Sequence, residues 1–203
     1  MERICRTALA EPNRHAAARF LWSVLPEVKE SQIPGLRNQG LFATHELEKG
    51  VPQRSDWPQA QQQAKHLLDK RGRDLLAGLG FQVADTNQQY AILRCGQTKM
   101  AGAVFLDRRE SCDIASDRFG GMTPVQYALA KADDENLDYV LVDHGSSLRI
   151  HTAAGKGVGR RGRTETFVEI HLDLLPSDRA GYLWLLFSGP ALVKDGTFSR
   201  ILE

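Results

Sequence analysis

Thr123-Pro124-Val125-Gln126-Tyr127-Ala128-Leu129-Ala130-Lys131-Ala132, followed shortly by Asp138-Tyr139-Val140-Leu141-Val142, is the stretch from which the fold class is read. Thr123 suits a helix N-cap, Pro124 the first helical position, and Gln126 the place from which a capping box returns a side chain to the cap. Val125, Ala128, Leu129 and Ala132 recur at helical spacing, so this helix buries one stripe. The run 138–142 is apolar enough for a central strand covered on both faces. A capped helix leading into such a strand predicts an α/β (α+β) fold, a mixed sheet flanked and crossed by helices.

Upstream, Phe81-Gln82-Val83-Ala84, Tyr90-Ala91-Ile92-Leu93-Arg94 and Ala103-Val104-Phe105-Leu106 are short apolar runs separated by polar residues, and read as a strand meander. Before them, Ala64, Leu67, Leu68, Leu75 and Leu79 predict one long helix, capped by Asp56 and ended at Gly80. A short helix carries His45, Glu46 and Leu47 and is stopped by Gly50 and Pro52. Ala17, Phe20, Leu21 and Val24 share a helical face, which divides the chain into an N-terminal helical segment, 1–35, and a domain, 36–203. Downstream of a turn at His144-Gly145-Ser146, Leu148 to His151 and Thr166 to Leu172 alternate as strands do. Pro176-Ser177-Asp178 opens a last helix through Phe187, closed by Gly189-Pro190.

A chain of 203 residues is long enough for one ample core, and its 42% apolar and 25% charged residues are ordinary globular values. No apolar run approaches the roughly 20 residues that cross a bilayer. The early Arg and Glu residues interrupt anything resembling a secretion signal, so the expected location is cytoplasmic. Cys5, Cys95 and Cys112 are odd in number without C-x-x-C spacing, which argues for reduced thiols rather than disulfides or structural zinc.

With 26 basic against 25 acidic residues the net charge is +1, so any attraction to nucleic acid must be local. The local candidate is Gly155-Lys156-Gly157-Val158-Gly159-Arg160-Arg161-Gly162-Arg163, a glycine-rich connection whose Lys156, Arg160, Arg161 and Arg163 suit phosphate contact. The blander reading is a basic hairpin tip that touches nothing in particular. It lacks the P-loop pattern. Arg149 and His151 share one strand face, as do Glu169 and His171; as neighbours they would form one polar surface, and otherwise they are exposed pleat positions. Asp143, His144 and Ser146 lie too close in sequence for a catalytic triad without a strained elbow. Trp57 and Trp184 read as core or interface anchors.

Three stretches carry a family resemblance: Arg37-Asn38-Gln39-Gly40-Leu41-Phe42, the run Asp138 to Thr152, and Gly181-Tyr182-Leu183-Trp184-Leu185-Leu186-Phe187 with Gly196-Thr197-Phe198. From Leu36 to Glu203 their order resembles the amino-terminal region of fused, single-chain restriction-modification methylases. The type I restriction subunit's amino-terminal domain is a more distant likeness. The resemblance implies a metal-dependent nuclease fold of the PD-(D/E)xK type, followed downstream by an adenine-specific DNA methyltransferase that uses S-adenosylmethionine. The Asn/Asp-Pro-Pro-Tyr/Phe motif of such a methylase does not occur in this sequence.

Nuclease chemistry of that type needs hard oxygen ligands for Mg²⁺ and a nearby cation. In one alignment on the family's strands the metal-binding Asp has become Gln89, and the Glu and Lys of E-x-K fall on Leu106 and Arg108, a dead site. A shifted register offers Asp107, Glu110 and Asp113 as ligands, Lys99 or Arg108 as the cation, and Glu46 or Glu48 as a further carboxylate. The favoured expectation is a catalytically degenerate nuclease fold of a phage-defence protein, with no cofactor of its own. It would contact DNA through Lys156, Arg160, Arg161, Arg163 and Arg149, or position the methylase or another defence subunit. The alternatives are an active Mg²⁺-dependent DNA endonuclease and a protein-docking module without DNA binding.

Overall fold

A computed structural model describes residues 33–107, 109–155, 158 and 162–202. The predicted N-terminal helix around Ala17 to Val24 and Cys5 lie outside the described residues. In chain order the elements are β1 (Leu36–Gln39), α1 (Trp57–Lys65), α2 (Gly72–Gly78), β2 (Gln82–Asp85), β3 (Tyr90–Cys95) and β4 (Thr98–Phe105). They continue with α3 (Pro124–Glu135), β5 (Tyr139–Asp143), β6 (Ser147–Thr152), β7 (Phe167–His171), α4 (Gly181–Phe187), α5 (Gly189–Leu192) and α6 (Thr197–Leu202).

The capping box forms as its residues dictate: the Gln126 N–H donates to Thr123 Oγ1 at 3.1 Å, and the Thr123 N–H donates to Gln126 Oε1 at 3.0 Å. The helix so started, α3, crosses from β4 to β5 and makes them the one parallel pair of a seven-stranded mixed sheet, ordered β1-β7-β6-β5-β4-β3-β2. The remaining pairs are antiparallel, including the meander β2-β3-β4. All five residues of β5 are buried, which is why its sequence reads apolar on both faces.

Helices cover both sides. On one face Leu93, Ala103, Leu141, Ile150 and Val168 join a large cluster with Ala64 of α1, Leu75 and Leu76 of α2, and Leu183 and Phe187 of α4. On the other, Ile92, Val104, Val140 and Val142 pack with the α3 stripe Val125, Ala128, Leu129 and Ala132, joined by Phe119 and Cys112. Among the described residues no helix is long and apolar enough to cross a membrane.

Four local expectations change. The long helix from Asp56 to Gly80 is two helices, because Arg71 is extended and Gly72 adopts a φ of 56° that interrupts helical propagation. Asp56 stands at the cap position of α1 but gives its carboxylate to Arg54, at 2.9 and 2.8 Å. Gly50 and Pro52 do not end the short helix: a π-helical turn over Glu46–Gly50 passes into a 3₁₀ turn over Val51–Gln53, whose early position suits Pro52. Gly189-Pro190 opens α5 instead of closing α4, with Ser188 Oγ accepting the Ala191 N–H at 3.2 Å. Beyond these, Leu36 to Gln39, for which the sequence pattern predicts no element, is an edge strand paired with β7.

Candidate functional site: a buried charged ladder and a closed acidic loop

β6 and β7 pair antiparallel with Arg149 directly opposite Glu169, and β1 adds Arg37 opposite Glu169. With a side-chain period of two, Leu148, Ile150, Val168 and Ile170 enter the large core and Arg149, His151, Phe167 and Glu169 face the other way. The four polar groups singled out from alternation therefore do line one sheet face. Three of them are not exposed pleat positions: Arg149 and Glu169 are 4% accessible and His151 is 0%, while His171 at the end of β7 stays partly exposed.

Burying charge demands partners. Arg149 Nη1 donates to Asp113 Oδ1 at 3.0 Å, Nη2 stands 3.5 Å from Glu169 Oε2, and the guanidinium lies 3.9 Å from the centroid of Phe167. His171 Nε2 approaches the same Glu169 oxygen at 3.6 Å. Burial alone would raise the Glu169 carboxyl, but His171 and Arg149 outweigh it and hold it at about 2. Burial pushes His151 down to about 4. Its Nδ1 lies 2.9 Å from the Arg163 carbonyl, so a neutral imidazole carries its proton there, and Nε2 has no hydrogen-bond partner among the described residues. Burial pushes the neighbouring Cys112 thiol up to about 11, away from nucleophilic use. The ladder is internally compensated, and through Asp113 it ties the loop after β4 down onto the sheet.

That loop holds the other predicted acids. Arg118 Nη1 pairs with Asp107 at 3.3 Å and with Glu110, while Nη2 donates to the Phe105 carbonyl at 3.1 Å. Glu110 also accepts the Asp107 N–H at 2.8 Å. The three proposed ligands are thus divided, Asp107 and Glu110 on Arg118 and Asp113 on Arg149. Lys99 is not with them: it stands near the opposite end of β4, paired with Glu135 at 2.6 Å. Eight residues of extended chain at ~3.3 Å each put it roughly 26 Å from Asp107. Where the unshifted alignment puts the metal, the Phe105 N–H donates to the backbone carbonyl of Gln89 at 3.3 Å, and neither Gln89 nor the half-buried Leu106 carries a carboxylate. Glu46 and Glu48 lie in the π-helical turn, Glu48 with a buried Oε1 that has no hydrogen-bond partner among the described residues. Among the described residues no group of three or more His, Cys, Asp or Glu is disposed to hold a metal. The residues present do not fit the nuclease metal centre that the resemblance implies.

Of the basic loop, Lys156, Arg160 and Arg161, like Arg108 elsewhere, lie outside the described residues. Arg163 is engaged: its two terminal nitrogens meet Asp133 of α3 at 2.7 and 2.9 Å, and Nη1 also donates to the Ala153 carbonyl at 2.7 Å. It clamps the root of the connection to α3, and the buried Arg149 offers DNA no surface. Asp143 Oδ1 accepts the Gly145 N–H at 3.0 Å, forming the turn into β6, and burial raises its carboxyl. This assigns Asp143 a turn-forming role. Sequence reading missed Arg118 and Asp133 altogether, because their partners come from other elements and no local pattern marks them. Comparison with protein-family models, curated proteins and solved structures finds no match for this chain.

Proposed function

We propose that this chain is a nuclease-like α/β module that has lost its metal chemistry and serves to contact DNA. More particularly, we read it as the amino-terminal domain of a cytoplasmic phage-defence restriction-modification methylase, with the adenine-specific methyltransferase and its S-adenosylmethionine site downstream. The observation that carries this reading is the fate of the acids: Asp107 and Glu110 are neutralised by Arg118, Asp113 by Arg149, and the strand-end positions are Gln89 and Leu106. The meander, crossing helix and parallel strand agree with the mixed sheet that the resemblance implies. With Arg149 and Arg163 engaged internally, DNA contact rests on Lys156, Arg160 and Arg161.

Two assays on the purified chain test this. Plasmid DNA with Mg²⁺ or Mn²⁺ should remain intact with the wild type and with Asp107→Ala and Glu110→Ala; metal-dependent nicking that those variants lose would make it a nuclease. DNA retention should fall with salt, and each of Lys156→Ala, Arg160→Ala and Arg161→Ala should reduce the log–log slope by about 0.9. Retention that is absent, or indifferent to salt, would leave a protein-docking module instead.

A further inference from the structure

Between α1 and the turns joining α4, α5 and α6 lies a cleft of about 280 Å³, lined among others by Gln59, Gln63, Trp184, Asp56, Ser188 and Thr197. Most of its polar groups are already committed. Asp56 is held by Arg54, Ser188 Oγ accepts the Ala191 N–H, and Thr197 Oγ1 donates to the Leu185 carbonyl at 2.7 Å. Gln59, which is exposed, and Gln63, which is half-buried, are different: neither side chain makes a hydrogen bond to the described residues. They stand four residues apart on α1, on one face with Cβ atoms roughly 6 Å from each other. Trp184 is half-buried and packs against the core behind them.

The charges at this cleft are paired, so a neutral occupant fits. A carboxamide offers a donor beside an acceptor, which matches a heterocycle edge that presents an acceptor beside a donor. In adenine the exocyclic amino group is flanked by a ring acceptor on each side, so it can take a carboxamide on both. Guanine and thymine carry a carbonyl at the corresponding place and cannot. An indole beside the cleft supplies the stacking surface that bases use on proteins. The volume falls just below the roughly 300–1,000 Å³ of small-molecule sites, and suits one ring system and its sugar rather than a longer stretch of strand.

We propose that this cleft binds an adenine base through Gln59, Gln63 and Trp184, presented by a free nucleoside or by an unstacked position of DNA. The DNA source rests on the reading given under Proposed function; the nucleoside source does not. Protein labelled with 5-fluorotryptophan, its Trp184 signal assigned with Trp184→Phe, reports on the cleft by fluorine NMR. Adenosine should shift the Trp184 signal saturably, guanosine and thymidine should not, and Gln63→Leu and Gln59→Leu should each weaken the effect about tenfold while the other two indole signals stay in place. The inference falls if adenosine leaves Trp184 unmoved up to about 10 mM, beyond the millimolar range of weak complexes, or if both glutamine variants respond as the wild type does. In parallel, retention of an oligodeoxyadenylate is compared with that of an oligothymidylate. Adenosine binding without retention of any DNA would remove the DNA-contact reading and keep the adenine site. Salt-sensitive retention of both oligonucleotides, with no adenosine response, would do the reverse.

Discussion

On the sheet face that carries α3, strands β3, β4 and β5 present Ile92, Val104, Val140 and Val142, while β6 and β7, two and three strands along from β4, present Arg149, His151 and Glu169. All seven side chains are buried. In the first region a helix stripe removes apolar surface from water, and the gain scales with area. In the second, charges are desolvated and have to be compensated one by one, through Asp113, His171 and the ring of Phe167. The comparison teaches that burial on one face can be reached by two routes with opposite sensitivities: area tolerates pH and salt, whereas pairing depends on every partner.

The largest expected effect separates these routes. Arg149→Ala should destabilise by roughly 3–5 kcal/mol in urea titration, because it takes the buried guanidinium from Glu169, leaving that carboxylate only His171 at 3.6 Å, and strips Asp113 of its partner. Replacing both, Arg149→Met with Glu169→Leu, should recover much of that loss; a double variant as unstable as the single would show that the ladder is not a compensated pair.

The next concerns pH. His151 is held at about 4, below its ordinary value of 6.5, so between those values the unfolded chain binds a proton that the folded chain refuses. Stability therefore falls as pH drops through that window, by about 2 kcal/mol between pH 7 and 5. The range stays above 4.5, where protonation of Glu169, held at about 2 in the fold, would begin to add its own loss. His151→Leu should flatten the profile over this range, and an unchanged slope would place its origin elsewhere.

In the helix-covered region, Val142→Ala should cost roughly 1.5–2 kcal/mol, the transfer of two methyl groups plus a partly relaxed cavity, with no pH dependence between 5 and 7. Smallest is Thr123→Ala, at about 1 kcal/mol, since it removes the cap bond of α3 but no buried contact. A loss several times larger would mean that the cap also sets the crossover from β4 to β5.

How far the sequence could be read differs between these regions for a physical reason. Thr123, Gln126 and the α3 stripe interact within a few residues of one another, so their pattern predicts both the helix and its buried face. The β5 run also declares itself, because Tyr139 to Val142 pack against apolar neighbours on both faces. The break between α1 and α2 was hidden because Leu67, Leu68 and Leu75 keep near-helical spacing across it, all buried in the same core. The candidate site was legible only in part. Alternation puts Arg149 with His151 and Glu169 with His171, but whether those pairs meet depends on β6 and β7 being neighbours.

The sequence by itself determined the class of fold, the capped crossover helix, the central strand and the meander, since these follow from local hydrogen bonding and from the period of apolar residues. Only the tertiary structure decided that Arg149 is buried against Glu169 and Asp113, that Arg118 neutralises Asp107 and Glu110, that Lys99 stands with Glu135, and that Arg163 is spent on Asp133. Those are meetings of charges from separate elements, and Coulombic pairing depends on distance in space, which sequence separation does not encode.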